Sequence, residues 1–132
     1  MMVKLPSIYK TVTIDCLGDV TKQRWTGSFE VKAILSNADR FEIERIYSKL
    51  MPVGTTPSEE QKIEASTIAE LAVRVASGPS WWDSTRGGQL MAEMNPLYDL
   101  MQECSKAQKA WSDEVDKMAE MGDGNVIPPQ SN

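Results

Sequence analysis

The stretch KTVTIDCL, residues 10–17, decides the fold class of this chain, because its side chains alternate strictly. Val12, Ile14 and Cys16 fall on one side and Thr11, Thr13 and Asp15 on the other, the period of a strand with one buried face. Gly18-Asp19 follows and reads as a two-residue hairpin turn. That turn would set Asp15 opposite Lys22 and Val12 opposite Trp25, one opposite-charge pair and one apolar pair. SFEVKAIL, residues 28–35, alternates again with Phe29, Val31 and Ala33 on one face, and Gly27 marks a bulge or bend before it. Residues 10–34 therefore read as an antiparallel hairpin or meander.

Beyond this segment the period changes to that of helices. Ser36 and Asp39 form a capping-box pattern ahead of Ile43, Ile46, Tyr47 and Leu50, which share one helical face. Pro52 and Gly54 end that helix, and residues 52–57 form a loop. Ser58 and Gln61 open a second helix running to about Ala76, with Ile63, Ile68, Leu71, Ala72 and Val75 as its apolar stripe, and Gly78-Pro79 stops it. Asn95 reads as the N-cap of a third helix, with Pro96 at its first position. Its stripe runs Leu97, Leu100, Met101, Cys104, Ala107, Trp111, Val115 and Met118, and the face beyond Lys106 is mostly charged. The expectation is an α+β domain over residues 1–121, an N-terminal antiparallel β-hairpin or meander (10–34) followed by a three-helix bundle with a long C-terminal helix (36–120). Residues 122–132 lack periodicity and read as a flexible tail.

Composition bounds the function. At 132 residues, 41% of them hydrophobic, the chain matches one domain that buries its own core. A net charge of −5 argues against binding a phosphate backbone, and Lys22-Gln23-Arg24 is the densest basic cluster. Arg86-Gly87-Gly88 matches a single RGG unit, whereas RNA-binding tracts of that kind repeat. MMVKLPSIYK has no apolar signal core, and no apolar run approaches the ~18–20 residues that span a membrane. Neither nucleic acid nor membrane is an expected partner. Two cysteines, Cys16 and Cys104, read as buried reduced thiols.

Chemistry is sparse. The chain has no histidine, so the commonest general base and metal ligand is missing. Two isolated cysteines make no zinc site, and no glycine-rich loop opens a helix to cradle phosphate. Carboxylate pairs such as Glu42/Glu44 and Glu59/Glu60 fit solvated helix faces. The reading is a non-enzymatic protein with no cofactor and no metal.

Three features remain as candidate contacts. Asp39-Arg40 stands at a helix start, where an acidic residue offsets the helix dipole; it also fits a fixed ion pair or an interface contact. GPSWWDSTRGGQ, residues 78–89, places Trp81 and Trp82 side by side between turn residues. The pair fits a structural plug, a protein-contact anchor or a stacking platform for a ligand. One indole closing the core and its neighbour meeting a partner combines the first two, with Trp82 as the core member. Trp25 on the hairpin joins them as a contact candidate, since the hairpin itself could clamp a neighbouring protein. Eight methionines, several beside the third helix (Met91, Met94, Met101, Met118, Met121), suit either an adaptable binding surface or ordinary core filling.

FEVKAILSNADRFEIERIYSKL, ASTIAELAVRVASGPSWWDSTRGGQL and NPLYDLMQECSKAQ, taken in order, resemble the tail assembly chaperones of long-tailed bacteriophages. The matching elements are Phe29 to Lys32, Leu35 to Arg40, Ala69 to Arg74, Pro79 to Trp82 and the segment from Asn95, and the likeness covers roughly residues 29–108. The resemblance implies a phage morphogenesis protein that holds the tape-measure protein before the tail tube polymerises around it, acting in the host cytoplasm during assembly. Related small phage proteins stay in the virion as capsid or tail components. That alternative would dock this chain on a capsid or tail protein through its hairpin and tryptophan loop. Phage structural proteins are thus the expected partners, with a homo-oligomer of the chain as an open option.

Overall fold

The computed structural model describes residues 5–54 and 56–122. Two long strands, β1 (Tyr9–Leu17) and β2 (Arg24–Lys32), are followed by helices α1 (Asn37–Leu50) and α2 (Glu59–Arg74). A short strand β3 (Val75–Ser77), a one-turn helix α3 (Ser80–Ser84) and the long helix α4 (Asn95–Gly122) complete the chain. The fold is α+β: a three-stranded antiparallel sheet in the order β1-β2-β3, then helices that include a long C-terminal one. The tail reading for residues 123–132 and one residue of the 52–57 loop, Thr55, lie outside the described residues.

The alternation of β1 puts Val12, Ile14 and Cys16 on the buried face as expected. The turn differs. Gly18 donates to the Gln23 carbonyl at 2.7 Å, and the loop spans residues 18–23. Val12 therefore faces Phe29, and Cys16 faces Trp25. Asp15 sits opposite Thr26 and pairs diagonally with Arg24 at 2.5 Å rather than with Lys22. The displacement from the two-residue turn is an even number of residues, so the buried face is unchanged.

Gly27 is not a bulge, because pairing runs unbroken past it opposite Ile14. Its missing side chain admits Pro79, whose Cγ would lie 2.6 Å from a Cβ built there. The irregularity of the sheet falls instead between Glu30 and Val31, where β3 joins β2. β3 itself takes Val75 and Ala76 out of the expected second helix, which ends at Arg74.

Both capping boxes form, Ser36 with Asp39 and Ser58 with Gln61. The long helix lies on the β1 side of the sheet and against α2, with Leu97, Leu100 and Cys104 fully enclosed. α1 docks on α2 and buries no residue completely, so it forms an outer layer while α2 supplies the contact with α4. Within α2 the inward residues are Ala65, Thr67, Ala69, Leu71 and Arg74; Ile63 is more than half exposed. Arg74 explains the shift of the stripe. Its guanidinium bonds Glu70 at 2.7 Å, the Lys32 carbonyl at 2.9 Å and Gln108 at 2.7 Å, fastening α2 to the end of β2 and to α4.

Candidate functional site

The tryptophans come together, and they face inward. Trp25 and Phe29 lie on the buried face of β2 with Gly27 between them, and Pro79 settles into that gap. This aims α3 at the sheet, so Trp82 is buried edge-on to Phe29 with ring centroids 5.5 Å apart. Trp81 packs edge-on to Trp25 at 4.9 Å and to Phe29 at 5.6 Å, and its indole donates to the Thr26 carbonyl at 2.8 Å. Edge-to-face geometry of this kind is favourable beyond the apolar area it covers.

Trp82 thus takes the core place expected of it. Trp25 and Trp82 are each only 7% exposed and offer a partner no surface, which corrects their placement among the contact residues. Trp81 is half-buried and held by three rings, so it forms the seam of the same cluster rather than a free anchor. Adjacent indoles serve opposite sides of a short helix here because both sides belong to the core.

Asp39 and Arg40 lie elsewhere, at the start of α1. Asp39 accepts from Lys32 at 2.8 Å and from the Ser36 amide at 2.9 Å, and these two bonds, in that order, hold its carboxyl below the usual range. It is a cap and a strand-to-helix tie. Arg40 is exposed, and its guanidinium donates to the Asn37 side chain at 2.9 Å.

The polar centre of the molecule is Glu93, buried at the end of the hairpin. Its carboxylate accepts from the Val20 and Thr21 amides at 2.8 and 2.9 Å, the Thr21 hydroxyl at 2.5 Å and the Trp25 indole at 2.7 Å. Burial pushes its pKa upward, but the bonds from Thr21, Trp25 and Val20 outweigh this and bring it down to about 2. Gly18 permits the approach, since a Cβ there would fall 2.2 Å from Oε2 of Glu93. Next to it Asn95 donates to the Leu17 carbonyl at 2.9 Å and accepts from the Asp19 amide at 3.3 Å. That side chain holds the hairpin rather than capping α4, whose first turn bonds to the Met94 carbonyl.

This latch fixes one wall of a groove of about 570 Å³. The hairpin loop contributes Asp19 and Val20, α2 contributes Glu60, Glu64 and Ile68, and the segment leading into α4 contributes Met91, Met94 and Tyr98. Among the described residues its lining carries acidic groups and no lysine or arginine. Burial, and then the nearby charges of Glu64 and Glu60, raise the pKa of Tyr98. Val20 is 63% exposed at the mouth. A cleft of this size, where Val20, Ile68, Met91 and Met94 lie among acidic side chains, suits a side chain or short segment of another molecule that carries both apolar and basic groups.

The groove was missed in the sequence because its residues come from three separate segments. Met91 and Met94 were the one available signal. Both cysteines stand unlinked and buried, each thiol pushed up to about 11, chiefly by burial. Among the described residues no cluster of three metal-ligating side chains occurs, and no helix is long and apolar enough to cross a membrane. No protein-family model, curated protein or solved structure matches the chain.

Proposed function

We propose that the chain is a non-enzymatic bacteriophage morphogenesis protein that works as a tail assembly chaperone, holding an apolar segment of a tape-measure or tail protein in the groove beside Glu93. The observation that carries this reading is the groove itself, with methionines on its floor and Glu60, Glu64 and Asp19 on its rim. Methionine is unbranched and repacks around different partners, as reversible holding requires. The acidic rim favours segments in which apolar residues alternate with lysine or arginine. The resemblance of residues 29–108 to tail assembly chaperones supplies the phage context.

The virion-component alternative relied on the tryptophan loop and hairpin as the docking surface. With Trp25 and Trp82 buried and Trp81 packed, the tryptophan part of that surface has little to offer. Co-expression with the tape-measure, tail-tube and capsid proteins of the same phage tests the reading. The tape-measure or tail-tube protein should co-purify with the wild-type chain. Val20→Asp and Glu60→Lys alter exposed groove residues, should fold normally, and should each weaken capture by ~10-fold or more. Capture that both variants leave untouched would refute the groove as the contact site.

A further inference from the structure

The outer edge of β1 lies apart from the groove beside Glu93. β1 lies at the end of the sheet order. Its pairing with β2 fixes which backbone groups are used. Ile8 accepts from Ala33, Gly18 donates to Gln23, and the register between them is unbroken. Antiparallel pairing alternates, so the even-numbered residues of β1 bond to β2. The N–H and C=O groups of Thr11, Thr13 and Asp15 therefore point away from the sheet. The ends of the strand are occupied, since the Tyr9 amide donates to the Ser7 hydroxyl and the Leu17 carbonyl accepts from Asn95.

Edges of this length are normally blunted by a bulge, a proline or a lysine. Here Lys10 is drawn to Glu114 on α4 and Asp15 to Arg24, and Thr11 and Thr13 between them carry no charge, proline or bulge. A groove of about 230 Å³ runs beside the edge, walled by Thr13, Ile14 and Asp15 on the strand and by Asp99, Gln102 and Glu103 on α4. Asp15 and Glu103 have Arg24 and Lys106 beside them, as solvent-exposed pairs that screen weakly. Asp99 makes no ion pair among the described residues.

We propose that this edge binds an extended segment of a partner protein carrying alternate lysine or arginine residues. The segment adds a strand to β1, and its basic side chains reach Asp99 and Glu103. A second copy of the chain is a poor occupant. Pairing two β1 edges would bring the acidic walls of both copies together, and like charges across strands repel.

The probe is a short fluorescent peptide alternating lysine with valine. It should bind with an affinity that falls as salt rises, and it should slow amide exchange at Thr11, Thr13 and Asp15. The same peptide with glutamate in place of lysine should bind ~10-fold or more weakly, as should the lysine peptide on Asp99→Asn/Glu103→Gln. Thr13→Pro removes one outward N–H while leaving the bonds to β2 in place, and it should abolish binding with the fold retained. A peptide methylated on its pairing amide nitrogens makes the same test from the ligand side, should Thr13→Pro fail to fold. Equal binding of lysine and glutamate peptides, protection confined to other segments, or concentration-dependent self-association that competes with the peptide would each overturn the proposal. In Val20→Asp the peptide should still slow amide exchange at Thr11, Thr13 and Asp15 as in the wild type, which separates a failure here from a failure of the groove.

Discussion

Single residues in this chain are chosen by what approaches them from far along the sequence. Gly18 is a glycine because the Glu93 carboxylate comes within 2.2 Å of where its Cβ would be, and Gly27 because Pro79 does much the same. Trp82 lies wholly in the core, so Trp82→Ala should cost about 3–5 kcal/mol through the cavity it leaves. Trp81→Ala should cost less, about 1–3 kcal/mol, for lost ring contacts and one hydrogen bond. Thermal or urea unfolding of the two variants checks this, and a neutral Trp81→Ala would mean that the indole is not part of the cluster. Glu93 has an acid signature. Its pKa moves from 4.5 to about 2 on folding, so its stabilising effect is complete above about pH 4.5 and fades as pH falls towards 2. Glu93→Gln should lower the melting temperature at neutral pH, because its amide group meets donors on every side, and should flatten the loss of stability over that acid range. A variant with the wild-type acid profile would remove Glu93 from the account.

At the scale of elements, the local signals proved reliable and the remote ones did not show. The alternation of β1, the capping boxes at Ser36 and Ser58 and the stripe of α4 are written within a few neighbouring residues, and each forms as read. The hairpin register was not legible, because the six positions from Gly18 to Gln23 fold around a carboxylate some seventy residues later in the chain. Asn95 had the composition of a cap, but tertiary contact with Leu17 and Asp19 claimed its side chain. β3 was hidden because three residues are too few to show a period, and α2 hands directly into them. The role of Arg74 was not legible either, because Lys32 and Gln108 reach it only in the folded chain. The stripe of α4 makes a firm prediction: Leu100, fully enclosed, replaced by Asp should cost about 3–5 kcal/mol, by analogy with a buried charge stripped of its partner. Denaturant unfolding with a midpoint near that of the wild type would contradict the packing of α4 on the sheet.

At the scale of the whole molecule, several residues of segments 29–40 and 69–82 serve the structure. Phe29 and Trp82 fill the core, Lys32 and Asp39 tie strand to helix, and Arg74 joins three elements. The two proposed contact surfaces use a different set: Val20, Met91, Met94 and Tyr98 in the groove beside Glu93, and separately the edge of β1. A net charge of −5 disfavours association between copies of the chain and favours encounter with basic segments. A chaperone leaves once its client is enclosed, whereas a decoration or tail component remains. Quantitative mass spectrometry of assembly lysates and of purified particles from the same infection separates the two most directly. The chaperone account predicts the chain in lysate complexes with a tape-measure or tail protein and its absence from finished particles; many copies per purified particle would contradict it.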